Sequence, residues 1–339
     1  MHRVVGERSI AGPSEADTAR TLLAELIRAR VFDDRALALQ RRGWMSGYPP
    51  FRGQEASQVG AARAMAADDW LFPTYRANAL QLARGVPATD LLRFRRGHPE
   101  FHSNHDLPVF PQAVPIATQL PHAVGVGMAA DYRDADHAVL AYLGDGATSE
   151  GDFHEAMNVA GVFDAPVLFF CENNGWAIST PRERQTAAPS IAAKAEAYGF
   201  EGRQVDGNDP LAVRAVVADA LDRVTSEGPL LVESLTYRQG PHTTSDDPDR
   251  YRDEPALPDW RTRDPIDRFA EFCLDEGVVD ERFRDRAREG AERAVDRAVA
   301  AAEAVPAPDP SDVFEFAYGT LPPRLASQRE AVRDRHGGE

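Results

Sequence analysis

Two short apolar runs, His137 to Leu143 and Ala165 to Cys171, each lead into a polar motif that carries glycine. The first motif is Gly144-Asp145-Gly146-Ala147-Thr148-Ser149-Glu150-Gly151, and the second is Glu172-Asn173-Asn174-Gly175. Runs of this kind, joined by a helical stretch from about Ser149 to Gly161, read as neighbouring buried strands of a parallel sheet. Doubly wound sheets bind ligands just beyond the carboxyl ends of their strands, and both motifs fall there. The expected fold is therefore α/β, a doubly wound and mostly parallel sheet flanked by helices, with helical extensions at both ends of the chain.

The residue types in the two motifs suit one kind of chemistry. Magnesium is a hard cation that takes one or two protein oxygens and completes its shell with phosphate and water. Asp145 supplies a carboxylate and Asn174 a neutral amide oxygen, enough when a diphosphate brings the remaining negative charge. Gly144 and Gly146 keep side chains away where backbone must approach that diphosphate. A helix starting near Thr148 would aim its amide-rich end at the same place. Asp145 alone would more readily be a turn or N-cap residue. The second motif, at the tip of a neighbouring strand, favours the metal–diphosphate reading.

Elsewhere, Tyr75 and Arg76 follow Pro73-Thr74 after the short run Trp70 to Phe72. An arginine fork suits a phosphate and a tyrosine hydroxyl can add a donor, although a surface arginine beside a packing tyrosine has the same sequence. His242 lies in the proline- and aspartate-rich stretch 239–262, which reads as a long functional loop. It can exchange protons near neutral pH, but for an isolated loop histidine plain exposure is the default. Ile116 reads as a core residue at the start of a helix over 117–132.

Composition narrows the function classes. The 339 residues, 43% of them hydrophobic, can bury one large core. A net charge of −16 argues against nucleic acid as a partner. Lys194 is the only lysine, so arginine carries nearly all the positive charge. No run reaches membrane-spanning length and no signal-peptide core is seen; with only Cys171 and Cys273, reduced thiols in a cytoplasmic protein are expected. Residues 1–14 read as a loose arm, 15–325 as one α/β domain and 326–339 as a polar tail. Ser14 reads as the cap of a helix from Glu15 to Arg42.

Several separate motifs carry a family resemblance from about Arg42 to Tyr318. They are GQEAS at 53–57, PTYR at 73–76, ATQLPHAVGVGMA at 117–129, GDGATSEGDF at 144–153, ENNGWAIST at 172–180, VDGNDPLAV at 205–213 and YRQGPHTTSDDPDRYR at 237–252. In this order they resemble the alpha subunit of the thiamine-diphosphate-dependent decarboxylating component of 2-oxo acid dehydrogenase complexes. That group includes the pyruvate, branched-chain and acetoin enzymes.

The resemblance implies a thiamine-diphosphate-binding fold and assigns roles residue by residue. Tyr75 and Arg76 would contact the diphosphate, with Gly144, Asp145, Gly146, Ala147 and Asn174 around it. Asp145, Asn174 and the carbonyl of Trp176 would hold Mg2+. Ile116 would prop the cofactor in its bent shape, and His242 would serve acyl transfer to a lipoyl group. It further implies a beta subunit that completes the site in an α2β2 heterotetramer, and the lipoyl domain of a dihydrolipoyl acyltransferase as a second partner. The substrate would be a 2-oxo acid. PHTTSDD and VDGND lean toward the branched-chain members, Glu172 toward the pyruvate members, and Gly47 stands where relatives place an aromatic. An acetoin-cleaving enzyme of the same family and a non-catalytic assembly subunit are the competing readings.

Overall fold

The computed structural model describes the chain except residues 102, 113, 253–256, 307–308, 316 and 337–339. In chain order the elements are α1 (Gly12–Arg41), α2 (Glu55–Ala62), β1 (Trp70–Phe72), α3 (Asn78–Ala83), α4 (Ala88–Arg95), α5 (Gln119–Tyr132), β2 (Val139–Gly144), α6 (Gly151–Val162) and β3 (Val167–Asn173). They continue with β4 (Trp176–Ala177), β5 (Thr180–Pro181), β6 (Glu201–Asp206), α7 (Pro210–Glu227), β7 (Leu230–Leu235), α8 (Asp259–Thr262), α9 (Pro265–Asp275), α10 (Phe283–Glu303), α11 (Asp312–Glu315) and α12 (Pro323–His336).

A five-stranded sheet runs in the order β1-β2-β3-β7-β6, with every neighbouring pair parallel. The two apolar runs form adjacent strands because each buries both of its faces. Leu140, Tyr142, Leu168 and Phe170 join one core with α1, α2, α7, α9 and α10. Val139, Ala141, Leu143, Val167, Phe169 and Cys171 join a second core with α5 and α6. The alternation is the two-residue period of a strand, and it makes the sheet the middle of three layers.

Register then places the motifs. Gly144 lies opposite Glu172, and Asn173 lies opposite Leu235 in β7. The chain beyond β2 and the chain beyond β3 therefore leave the sheet side by side.

Some local expectations change. Between β2 and α6 the chain first makes a short 3-10 helix, Asp145–Ser149, and the α-helix begins only at Gly151. A 3-10 helix over Ala192–Tyr198 ends at Gly199, φ +88°. Ser14 sits inside α1 rather than capping it; the helix starts at Gly12-Pro13, and Glu15 accepts from the Ala11 N–H.

Residues 1–14 are held rather than loose. His2 pairs with Val205 at the β6 edge, and the N–H groups of Val4 and Val5 both donate to the buried carboxylate of Asp209 at 2.7 Å. Val4 and Val5 are buried, so apolar burial and a shared acceptor fix the segment. At the other end, the expected polar tail is helical from Pro323 to His336, and 337–339 lie outside the described residues. No helix among the described residues is long and apolar enough to cross a membrane.

Candidate active site

A cavity of about 530 Å³ opens at the carboxyl ends of β1, β2 and β3. Tyr75, Arg76, Ile116, Gly144, Asp145, Gly146, Ala147, Asn174, Trp176 and His242 all line it. Five separate stretches of sequence thus meet at one cavity.

The metal-suited oxygens come from the two strand tips. Asp145 is buried at the start of the 3-10 helix, and its Oδ2 accepts from Gln185 Nε2 at 2.9 Å. Burial pushes its carboxyl above the ordinary value, against the opposing pull of the Gln185 bond and of the positive charge on Arg238 and Arg261. Asn174 donates from Nδ2 to Gln54 Oε1 at 2.8 Å, and its Oδ1 accepts from the Trp176 N–H at 3.1 Å. Those bonds direct the amide, with nitrogen toward GQEAS and oxygen toward the turn into β4. The Trp176 carbonyl, expected as a third ligand, accepts from Arg238 Nη1 at 3.5 Å.

The two glycines have different reasons. A Cβ at Gly144 would meet nothing within 4 Å, so a side chain there would project into cavity space. A Cβ at Gly146 would lie 2.9 Å from that of Ala177, so this glycine lets the 3-10 helix pack against β4. The protein itself requires the second glycine.

The same cavity is lined by three arginines, Arg76, Arg95 and Arg238, and none has a carboxylate within ion-pair distance among the described residues. Arg76 donates to the Pro50 carbonyl at 2.5 Å, to His242 Nδ1 at 3.0 Å and to the His242 carbonyl at 2.7 Å. Arg238, fully buried, donates to the Ile178 carbonyl at 2.7 Å, the Tyr251 hydroxyl at 2.9 Å and His242 Nδ1 at 3.3 Å. Burial, then Arg76, lower the Arg238 guanidinium to about 10. A wall with this much uncompensated positive charge is built for an anion.

His242 sits between the two guanidinium groups. Burial first, then Arg76 and Arg238, push it down to about 4. Arginine nitrogens only donate, so Nδ1 is the acceptor and the ring proton resides on Nε2. The loop carrying His242 is braced from inside: Asp246 accepts from the His242 N–H and from the Tyr251 hydroxyl, both at 2.6 Å.

GQEAS holds the back wall. Gly53 has φ +90° and a Cβ there would lie 2.3 Å from the Tyr237 carbonyl oxygen, so only glycine fits. Gln58 donates to Glu172 Oε2 and to the Arg76 carbonyl, and accepts from the Ala79 N–H. Tyr142, which lines the cavity, donates to the same Glu172 oxygen. Burial raises Glu172 to about 7.

Sequence reasoning did not single out Arg95, Arg238, Glu172 or Tyr142 as site residues. For Arg238 a signal existed: it stands four positions before His242, inside a motif already quoted, at the end of an apolar strand.

Such a cavity, lined by carboxylate and amide oxygens and by arginines at the strand ends of a doubly wound sheet, has the make-up of a cofactor-dependent enzyme site. The dehydrogenase E1 component family matches residues 25–311, and the chain belongs to it. It is an alpha-type subunit of a 2-oxo acid dehydrogenase, a component of a family that works with thiamine diphosphate and beside a beta subunit. Among its relatives, 3-methyl-2-oxobutanoate dehydrogenase subunit alpha of Mycobacterium tuberculosis is 44% identical over 321 residues, covering 94% of this chain and 87% of the relative. The pyruvate dehydrogenase E1 component subunit alpha of Bacillus cereus is 39% identical, covering 98% and 90%. That of Bacillus subtilis is 37% identical, covering 93% and 85%.

Proposed function

We propose that this alpha subunit binds the diphosphate of thiamine diphosphate together with Mg2+, and that with its beta partner it decarboxylates a 2-oxo acid and passes the acyl group to a lipoyl domain. The carrying observation is the meeting of Asp145 and Asn174 with three arginines that lack carboxylate partners, on one cavity. The residues fit the group. Asp145 brings a buried carboxylate to the cavity, and Gly144 leaves open space beside it. Oxygen donors with few protein ligands are what Mg2+ takes when phosphate completes its shell.

In this reading Asp145, Asn174 and the Trp176 carbonyl hold Mg2+, while Arg76, Arg238 and Tyr75 bind and orient the diphosphate. Ile116 gives the organic part of the cofactor an apolar support. His242, its proton fixed on Nε2, offers a hydrogen-bond donor close to the reacting groups and serves the acyl transfer. When bound, thiamine diphosphate supplies a nucleophilic carbon and an electron sink. The cavity rim is apolar and open: Val114 is 58% exposed, Ile178 57% and Ile116 39%. Exposed aliphatic side chains around a cavity favour a site closed by a partner, here the beta subunit of an α2β2 assembly. We place the assembly in the cytoplasm, where the buried free thiols of Cys171 and Cys273 stay reduced.

A branched-chain 2-oxo acid is the favoured substrate, because Gly47 lines the cavity and a Cβ there would meet nothing within 4 Å. The chain alone is expected to decarboxylate no 2-oxo acid. Co-expressed with its beta subunit it should turn over 3-methyl-2-oxobutanoate faster than pyruvate or acetoin. Robust turnover by the isolated chain would contradict the shared site, and a preference for acetoin would select the competing activity.

A further inference from the structure

Asp33 lies on α1, does not line the cavity, and is 2% exposed with no arginine or lysine within ion-pair distance among the described residues. An unpaired buried carboxylate is costly, so its bonds merit an account. It accepts from the Tyr48 hydroxyl at 2.8 Å and from the Phe51 N–H at 3.1 and 3.2 Å to its two oxygens. The Phe51 nitrogen and the Pro50 carbonyl belong to one peptide group. On its other side, the Pro50 oxygen accepts from Arg76 Nη1 at 2.5 Å. No cis peptide occurs among the described residues, so the N–H and C=O of this plane point in opposite directions.

We infer that Asp33 is a positioning residue that orients and polarises the Pro50–Phe51 peptide and, through its carbonyl, sets the Arg76 guanidinium and the His242 loop. This rests on the proposed diphosphate site. A carboxylate on the N–H side makes the carbonyl a stronger acceptor, since hydrogen bonds in series reinforce one another. Arg76 has its other terminal nitrogen, Nη2, on His242. The same stretch meets the His242 loop twice more: the Tyr48 N–H donates to Thr244 Oγ1 at 3.2 Å, and the Arg52 carbonyl accepts from the Gln239 N–H at 3.0 Å. One turn earlier on α1, Arg30 holds Glu55, whose other oxygen takes the Gly53 N–H at 2.9 Å. The buried polar pair of α1 thus grips both ends of the segment 48–55, and Asp33 is the end nearer the anion wall.

The test uses the full chain and magnesium pyrophosphate. It is run at pH 8, above the value of about 7 to which burial and then Glu55 raise Asp33. Calorimetry is expected to give roughly fivefold weaker binding for Asp33→Asn and no further loss when that change is added to Arg76→Ala. Equal losses in both backgrounds, or no loss in the first, would overturn the role. A second reading needs no variant. Pro50–Phe51 is the only Pro-Phe pair in the chain, so carbonyl-13C proline with 15N phenylalanine labels one resonance. Phe51 does not line the cavity, yet its amide signal should shift on pyrophosphate binding. Binding without a shift would overturn this role alone, whereas no binding to the unsubstituted chain would overturn the site as well.

Discussion

Arg76 donates to both the ring nitrogen Nδ1 and the backbone carbonyl of His242, at 3.0 and 2.7 Å. One planar fork therefore fixes where the loop sits and which way its imidazole faces. With Arg238 also on Nδ1, the ring is neutral and carries its proton on Nε2.

That arrangement predicts an unusual titration. His242 should protonate only near pH 4 in the free chain, against 6.5 for the ordinary side chain. The folded value is depressed, so the unfolded chain takes up the proton first. The neutral form's contribution is complete above pH 6.5 and is lost as pH falls toward 4. Pyrophosphate offsets the charge of Arg76 and Arg238 and should move the midpoint back up. Histidine ring resonances check both statements; an ordinary midpoint in the free chain would contradict the first.

Gly53 and Gly144 should respond in opposite ways to the same change. At Gly53, φ +90° and the Tyr237 carbonyl 2.3 Å from a Cβ leave alanine no place. Gly53→Ala should cost about 2–4 kcal/mol, read by denaturant unfolding. Gly144 has φ −89°, ψ 164° and open space, so Gly144→Ala should leave stability within about 0.5 kcal/mol. It should nevertheless weaken magnesium pyrophosphate binding, because the added methyl occupies the cavity.

Glu172 makes stability fall with rising pH. Its carboxyl stands at about 7 when folded against 4.5 for the unperturbed group, so the folded chain keeps a proton that the unfolded chain releases. Stability should drop between those values by roughly 1–3 kcal/mol and level off above them. In Glu172→Gln that part of the slope should disappear, as urea midpoints taken from pH 4.5 to 8 would show; an unchanged slope would rule out this origin.

Much of the fold was legible where burial is two-sided. β2, β3 and β7 appear as apolar runs because both faces of each strand are covered. The edge strand β6 was not, since Glu201 is exposed and Gly202, Arg203 and Gln204 are half-buried, so that no apolar run marks it. α9 was missed although Asp264-Pro265 is a start signal: the Asp264 carboxylate accepts from the Ile266 and Asp267 N–H groups. Within the site, Asp145 and Asn174 were readable because strand tips fix their place. Asp33 was not, because an aspartate looks the same in sequence whether a fold buries it or leaves it in water.

The central claim is that Asp145 and Asn174 carry a magnesium ion that fastens a diphosphate to the arginine wall. Titrating pyrophosphate into the full chain by calorimetry, with and without Mg2+, tests it most directly. Binding should require the metal and weaken at least tenfold in Asp145→Ala and Asn174→Ala while both variants remain folded by circular dichroism at the titration temperature, a loss of the size expected when a charged ligand contact is removed. Equal affinity without Mg2+, or in either variant, would contradict the account.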